Sequence, residues 1–282
     1  MEIGLGLPTT VPAAAGGDLL EFARRTDRYG FATLAVIDRL VYDSYDSIVA
    51  LAAAAGATER VKLATTVLLA AYRPSVAELA KQLASLDRLA GGRLVLGVAA
   101  GGREDDFLAT GTDYRTRGRR LDRMLTELKR IWRGDGPGPR PCTGDIPLWI
   151  GGHSAAALRR AAEFGTGWIS PGGSVAGYPA LVRRTKEAWA EHGRTDSPRM
   201  VSLGYVALAP DGRELAGKYL REYYSYNGDK VNRLVDSVIV DEDTLRDTVA
   251  AHAANGCDEL LLFPCVADPG QVDRIAEVVE PC

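Results

Sequence analysis

The chain has 282 residues, of which 46% are hydrophobic and 25% charged, and 34 basic against 37 acidic side chains leave a formal net charge of −3. This composition excludes a disordered chain and offers no basic stripe for nucleic acid. No apolar run reaches the ~20 residues needed to span a bilayer, so no membrane partner is expected.

The first predicted strand is Glu2–Leu7, followed by a helix over Asp18–Tyr29 with apolar residues at helical spacing and Gly30 as its stop. Strand two is Thr33–Ile37 with helix Tyr45–Ala55, and strand three is Val61–Leu68 with helix Pro74–Leu89. Strand four is Arg93–Val98, and the charged amphipathic helix Gly118–Trp132 follows a loop. Strand five, Ile146–Ile150, leads to helix Ser154–Phe164, and a short sixth strand, Gly167–Ser170, to helix Tyr178–His192. Strand seven is Met200–Ala207. A less regular, tyrosine-rich helical insertion covers Glu214–Ser237, and helix Glu242–Asn255 follows it. Strand eight is Glu259–Phe263, and helix Val272–Val279 ends the chain.

The strands are short and almost wholly apolar, as strands covered on both faces must be. Eight βα units in a chain of this length predict a single α/β domain over residues 1–282, a (β/α)8 barrel, with a doubly wound sheet as the alternative. Met1–Leu5 has no basic segment, so no secretory leader is expected. Cys142, Cys257, Cys265 and Cys282 form no CxxC pair, and His153, His192 and His252 are far apart. The expectation is reduced thiols in a cytoplasmic chain without a metal site.

In a barrel the chemistry lies in the loops after the strands. Gly151-Gly152-His153-Ser154 stands out because two glycines let backbone approach a ligand, and a helix start with a serine suits a phosphate. The same residues also make an ordinary tight turn with Ser154 as N-cap. Gly101-Gly102 is ambiguous in the same way.

Three stretches together resemble the bacterial luciferase-like monooxygenase superfamily: Val67–Val98, Gly111–Trp132 and Ile146–Trp168. The C-terminal Gly256-Cys257-Asp258-Glu259-Leu260 and Asp268–Val279 are similar to the ends of short members, so the resemblance runs essentially end to end. It implies a (β/α)8 barrel that binds reduced FMN or, in one branch, the deazaflavin coenzyme F420. FMN-dependent members activate O2, whereas deazaflavin members transfer hydride.

Carried over residue by residue, the resemblance places a non-proline cis peptide at Ala70-Ala71 beneath the ring system. It puts Gly101, Gly102, Glu104, Asp106 and Phe107 in a loop bordering the cofactor. Gly151, Gly152, His153 and Ser154 fit the phosphate site. Ala100 stands where luciferase has a phosphate-binding arginine, so Arg117, Arg119 or Arg120 would have to supply that charge.

Arg39 stands near a position where many members carry a histidine acid/base. An arginine stabilises anions but shuttles protons poorly, and the Asp38-Arg39 pair could equally just shape its loop. Asp38, Glu104 and Asp106 are the remaining candidates for a base. Tyr42, Tyr72, Tyr223 and Tyr224 are candidates for an aromatic substrate pocket, with a surface helix as the alternative for the last two.

The expected function is a monooxygenase using reduced FMN and O2 on a small, aromatic or polyketide-like molecule, supplied by a separate flavin reductase. An F420-dependent hydride-transfer enzyme and a non-catalytic flavin-binding relative are the alternatives. A homodimer through the Ala/Leu-rich helices Tyr45–Ala55 and Pro74–Leu89 is expected from the same resemblance.

Overall fold

In a computed structural model that describes residues 1–170, 172 and 175–279, eight parallel strands close into a barrel in sequence order. The strands are β1 (Glu2–Gly6), β2 (Thr33–Val36), β3 (Lys62–Leu68), β4 (Leu94–Val98), β5 (Leu148–Gly151), β6 (Gly167–Ile169), β7 (Arg199–Val206) and β8 (Glu259–Pro264). Strand β8 pairs with β1, with Glu2 opposite Glu259 and Leu5 opposite Leu262, which excludes the open doubly wound sheet.

The surrounding helices are α1 (Gly16–Tyr29), α2 (Ser47–Ala57), α3 (Val76–Leu89), α4 (Glu104–Ala109), α5 (Arg117–Trp132) and α6 (Ala155–Phe164). They continue as α7 (Tyr178–Glu191), α8 (Gly212–Tyr223), α9 (Val231–Asp236), α10 (Glu242–Ala254) and α11 (Gly270–Val279). No helix among the described residues is long and apolar enough to cross a membrane. Cys282 of the sequence analysis lies outside the described residues.

Each element follows from its residues. Helix α2 starts where the Asp46 carboxylate accepts the N–H groups of Ile48 and Val49 at 2.9 and 3.0 Å. Helix α1 stops at Gly30, whose φ of 81° is left-handed. The interior of the barrel is tight enough to dictate single residues. A Cβ on Gly97 of β4 would stand 2.0 Å from the Thr65 carbonyl oxygen of β3, so only glycine fits there.

The insertion after β7 is not one helix. Helix α8 gives way to a 3-10 stretch, Ser225–Lys230, broken at Gly228 (φ 53°, ψ −140°), before α9 resumes. The segment Glu104–Ala109, expected as loop, is the short helix α4. Both differences lie in the connections after strands, where hydrophobic periodicity is weakest.

Candidate active site

Because all strands are parallel, their C-terminal ends share one face, and a cavity of about 670 Å³ opens there. Among the sequence candidates, Asp38, Gly101, Gly102, Arg117, Gly151, Gly152, His153, Ser154, Tyr223 and Tyr224 line it. Thr66, Val67, Arg103, Arg115, Arg160 and Tyr226 line it as well.

One end of the cavity is built by the β5–α6 loop. Gly152 has φ +119°, and a Cβ there would stand 3.0 Å from that of Ala157 in the first turn of α6. A Cβ on Gly151 would stand 2.8 Å from Val67 Cγ1. Side chains on either glycine would fill the floor of this cradle. The Trp168 indole N–H donates to the Gly152 carbonyl at 2.7 Å and fixes the loop. The Ser154 hydroxyl accepts the Ala157 N–H at 3.2 Å. The first N–H groups of α6 precede that bond and, with the helix dipole, suit an anion.

Three arginines surround this end. Arg117 donates to the Gly101 and Tyr114 carbonyls, both at 3.0 Å, and its guanidinium stacks 3.9 Å from the Tyr114 ring centroid. It therefore keeps its full charge beside the cavity. Arg115 is exposed and makes no ion pair among the described residues. Arg160 is buried and shares its charge with Asp122, at 2.5 and 3.3 Å. Gly118 leaves it room, because a Cβ there would stand 2.9 Å from its terminal nitrogen. Arg120 turns instead to the Arg73 carbonyl at 2.8 Å, outside the cavity, and Arg119 is exposed and does not line it. Of the arginines named as stand-ins for Ala100, Arg117 at the start of α5 lines the cavity, and Arg115, in the turn just before it, joins it there.

The non-proline cis peptide lies at Thr66-Val67, and not at Ala70-Ala71. It sits within β3, where the pairing with β4 shifts register between Thr65 and Leu68. Ala70 and Ala71 begin a 3-10 turn, are fully buried, and do not line the cavity. The resemblance points to the strand end, because the sequence carries no sign of the register shift that places the bond within β3.

The acidic candidates are structural in their contacts. Asp38 is buried and lines the cavity, but both its oxygens are occupied. It accepts from the Ser47 hydroxyl at 2.9 Å, the Leu69 N–H at 3.0 Å, the Tyr72 hydroxyl at 3.0 Å and Arg73 at 3.3 Å. A carboxylate with so many donors braces the ends of β2 and β3 and has little capacity to take a substrate proton. Asp106 is fully buried and accepts the Leu40 and Val41 N–H groups at 3.0 and 2.8 Å, away from the cavity. Glu104 is exposed and does not line the cavity either. Arg39 is also withdrawn: it donates to the Tyr223 carbonyl at 3.0 Å and to Asp105 at 3.1 Å.

The tyrosines divide. Tyr72 is bound to Asp38 and buried behind the cavity wall, and Tyr42 packs edge-on against Tyr223 at 5.0 Å without reaching the cavity. Burial pushes the Tyr42 phenol up to about 12. Tyr223 and Tyr224 line the cavity, and the Tyr224 hydroxyl is 2.6 Å from that of Tyr205. Burial also raises the Tyr223 phenol, against the opposing charge of Arg103, so it stays protonated at neutral pH. Arg103, at the start of α4, escaped the sequence reading. Its one signal was its place directly after Gly101-Gly102.

The profile of the luciferase-like monooxygenase family matches residues 1–281. An uncharacterized protein of Mycobacterium tuberculosis is 32% identical over 183 residues, covering 59% of this chain and 62% of that protein. An FMNH(2)-dependent dimethylsulfone monooxygenase of Pseudomonas putida is 27% identical over 198 residues, covering 64% and 53% respectively. The chain thus spans less than two thirds of the length of these curated relatives. An F420-dependent secondary alcohol dehydrogenase, solved with an F420-acetone adduct, superposes with a TM-score of 0.83 at 18% identity, covering 99% of this chain and 98% of that one. At that identity the likeness shows the fold alone.

Proposed function

Because the chain belongs to the luciferase-like monooxygenase family, we propose that it is a monooxygenase that uses reduced FMN and O2 on a small organic molecule. The observation that carries this reading is the cradle of Gly151 and Gly152, closed to any Cβ and faced by Arg115 and Arg117 with charge to spare. Such a cradle fits a terminal phosphate. When bound, the reduced flavin supplies the electrons that activate O2.

The chain's own residues bind and shield. The N–H groups at the start of α6, the Ser154 hydroxyl and the cations of Arg115 and Arg117 hold the phosphate. Val67, Leu69, Ile150 and Ile169 give an apolar wall for a planar ring. Tyr223 and Tyr224 reach over the cavity from the insertion after β7 and exclude water. Asp38 is the one carboxylate lining the cavity among the described residues, and its oxygens are occupied. This supports a division in which the cofactor carries the redox step and the protein positions the reactants.

In the second reading F420 replaces FMN, and hydride transfer replaces oxygen insertion. Ala100, in place of an arginine, favours it. The reduced FMN of the first reading would come from a separate reductase. A homodimer through α2 and α3 fits their exposed Val49 and Leu89, at 66% and 69%.

Anaerobic fluorescence titration with reduced FMN and, separately, reduced F420 tests the choice. Micromolar binding of reduced FMN alone, with oxygen consumption on admitting air, supports the monooxygenase. Tight binding of reduced F420 alone moves the chain to hydride transfer. Binding of neither overturns both.

A further inference from the structure

Two arginines meet the same tyrosine, and only one of them has a counter-ion. Arg39 lies over the Tyr223 ring at 5.7 Å and is paired with Asp105. Arg103 lies 4.6 Å from the Tyr223 centroid, 4.6 Å from that of Tyr226 and 5.5 Å from that of Tyr224. It is 7% exposed, its Nε is buried without a hydrogen-bond partner, and it makes no ion pair among the described residues. The nearby Asp106 has committed one oxygen to the backbone of Leu40 and Val41; its other oxygen is buried without a hydrogen-bond partner, and its charge reaches Arg103 through space without forming a contact ion pair.

Aromatic faces compensate part of the cost of removing a guanidinium from water, and one in-plane donor reaches the Tyr223 hydroxyl, but they leave the others, Nε included, unspent. Those donors belong to a residue that lines the cavity, as do all three tyrosines. A buried cation in a cavity wall that makes no contact ion pair has room for an anion. The rings beside it favour a flat partner.

We propose that Arg103, held in the Tyr223–Tyr224–Tyr226 cage, is the substrate-recognition residue and selects a planar organic carboxylate. The assignment rests on the reading above, in which the cofactor's phosphate takes the separate cations of the β5–α6 end. Arg103 then binds the substrate carboxylate with its guanidinium fork while the tyrosine rings flank the conjugated plane. Tyr226, 49% exposed, forms the outer wall through which such a molecule enters.

The test is isothermal titration of the full chain with benzoate and with its neutral isostere benzamide, with and without saturating FMN. Benzoate is expected to bind at least tenfold more tightly than benzamide. Arg103→Met should bring the ratio near one, and Arg103→Lys should restore part of it. Inorganic phosphate should leave benzoate bound. Equal binding of the two probes by the wild-type protein overturns the proposal without recourse to any variant. So does displacement of benzoate by phosphate, which would place it on Arg115 and Arg117. Loss of FMN binding in Arg103→Met with the benzoate ratio intact would assign Arg103 to the cofactor instead. If wild-type protein discriminates benzoate but binds no flavin, the monooxygenase reading fails and this one stands.

Discussion

The Asp106 carboxylate accepts the backbone N–H of Val41 at 2.8 Å, and the same oxygen accepts that of Leu40 at 3.0 Å. One buried acid thus ties α4 to the loop after β2. An asparagine keeps an acceptor oxygen in that place, so Asp106→Asn is expected to retain turnover within a few-fold. A general base would lose about 10²- to 10⁴-fold on the same change. Asp106→Ala, which leaves two part-buried N–H groups without their acceptor, should destabilise by about 1–2 kcal/mol. Steady-state kinetics and urea unfolding of the pair distinguish a brace from a base.

Arg117 is positioned by two carbonyls and a tyrosine face, so its charge remains for a ligand. Arg117→Met is expected to weaken FMN binding by ten- to a hundredfold, the ~1.5–3 kcal/mol of a charged hydrogen bond. Riboflavin, which lacks the phosphate, should bind the variant and the parent alike. Equal weakening of both ligands would show that Arg117 supports the ring and not the phosphate.

Gly97 lets β4 approach β3 closely enough for the Thr65 hydroxyl to reach the Gly97 carbonyl at 2.7 Å. Gly97→Ala brings a methyl against backbone and against Ile169, and should destabilise by about 3 kcal/mol. Gly56→Ala in α2, where a Cβ meets nothing within 4 Å, should stabilise by about 0.5–1 kcal/mol. Thermal unfolding of the two variants reads both signs.

His252 is buried on α10, with Nδ1 2.9 Å from the Thr248 carbonyl and Nε2 3.1 Å from the Ser202 hydroxyl. These distances are satisfied by a neutral ring that donates through Nδ1 and accepts through Nε2. Burial lowers its pKa below the ordinary value of 6.5, although the Thr248 bond opposes this. The unfolded chain therefore binds the proton first as pH falls. The stability that His252 contributes is complete above 6.5 and is lost as pH falls through the lower, folded value, at about 1.4 kcal/mol per unit of difference. His252→Gln should flatten this acid limb in urea unfolding measured across pH 7 to 4. An unchanged limb would place the titration elsewhere.

The sequence by itself determined the barrel and marked the Gly151-Gly152 loop. Both are local patterns: apolar strands alternating with amphipathic helices, and two glycines between a strand and a helix start. The periodicity survives without knowledge of any distant contact. The tyrosine insertion was legible as helix, but its break at Gly228 was not, since one glycine within a polar run carries no periodic signal.

The tertiary structure decided which charges remain free. Arg39, Arg103 and Arg117 are the same residue type near strand ends or helix starts, yet Arg39 is spent on Asp105, Arg117 is held by carbonyls, and Arg103 packs among tyrosine rings without a contact ion pair. Asp38 and Asp106 are equally plausible bases in the sequence, and their donors lie just after β3 and on the loop after β2. Whether a charge can act depends on neighbours brought from far along the chain, and closing the barrel supplies them.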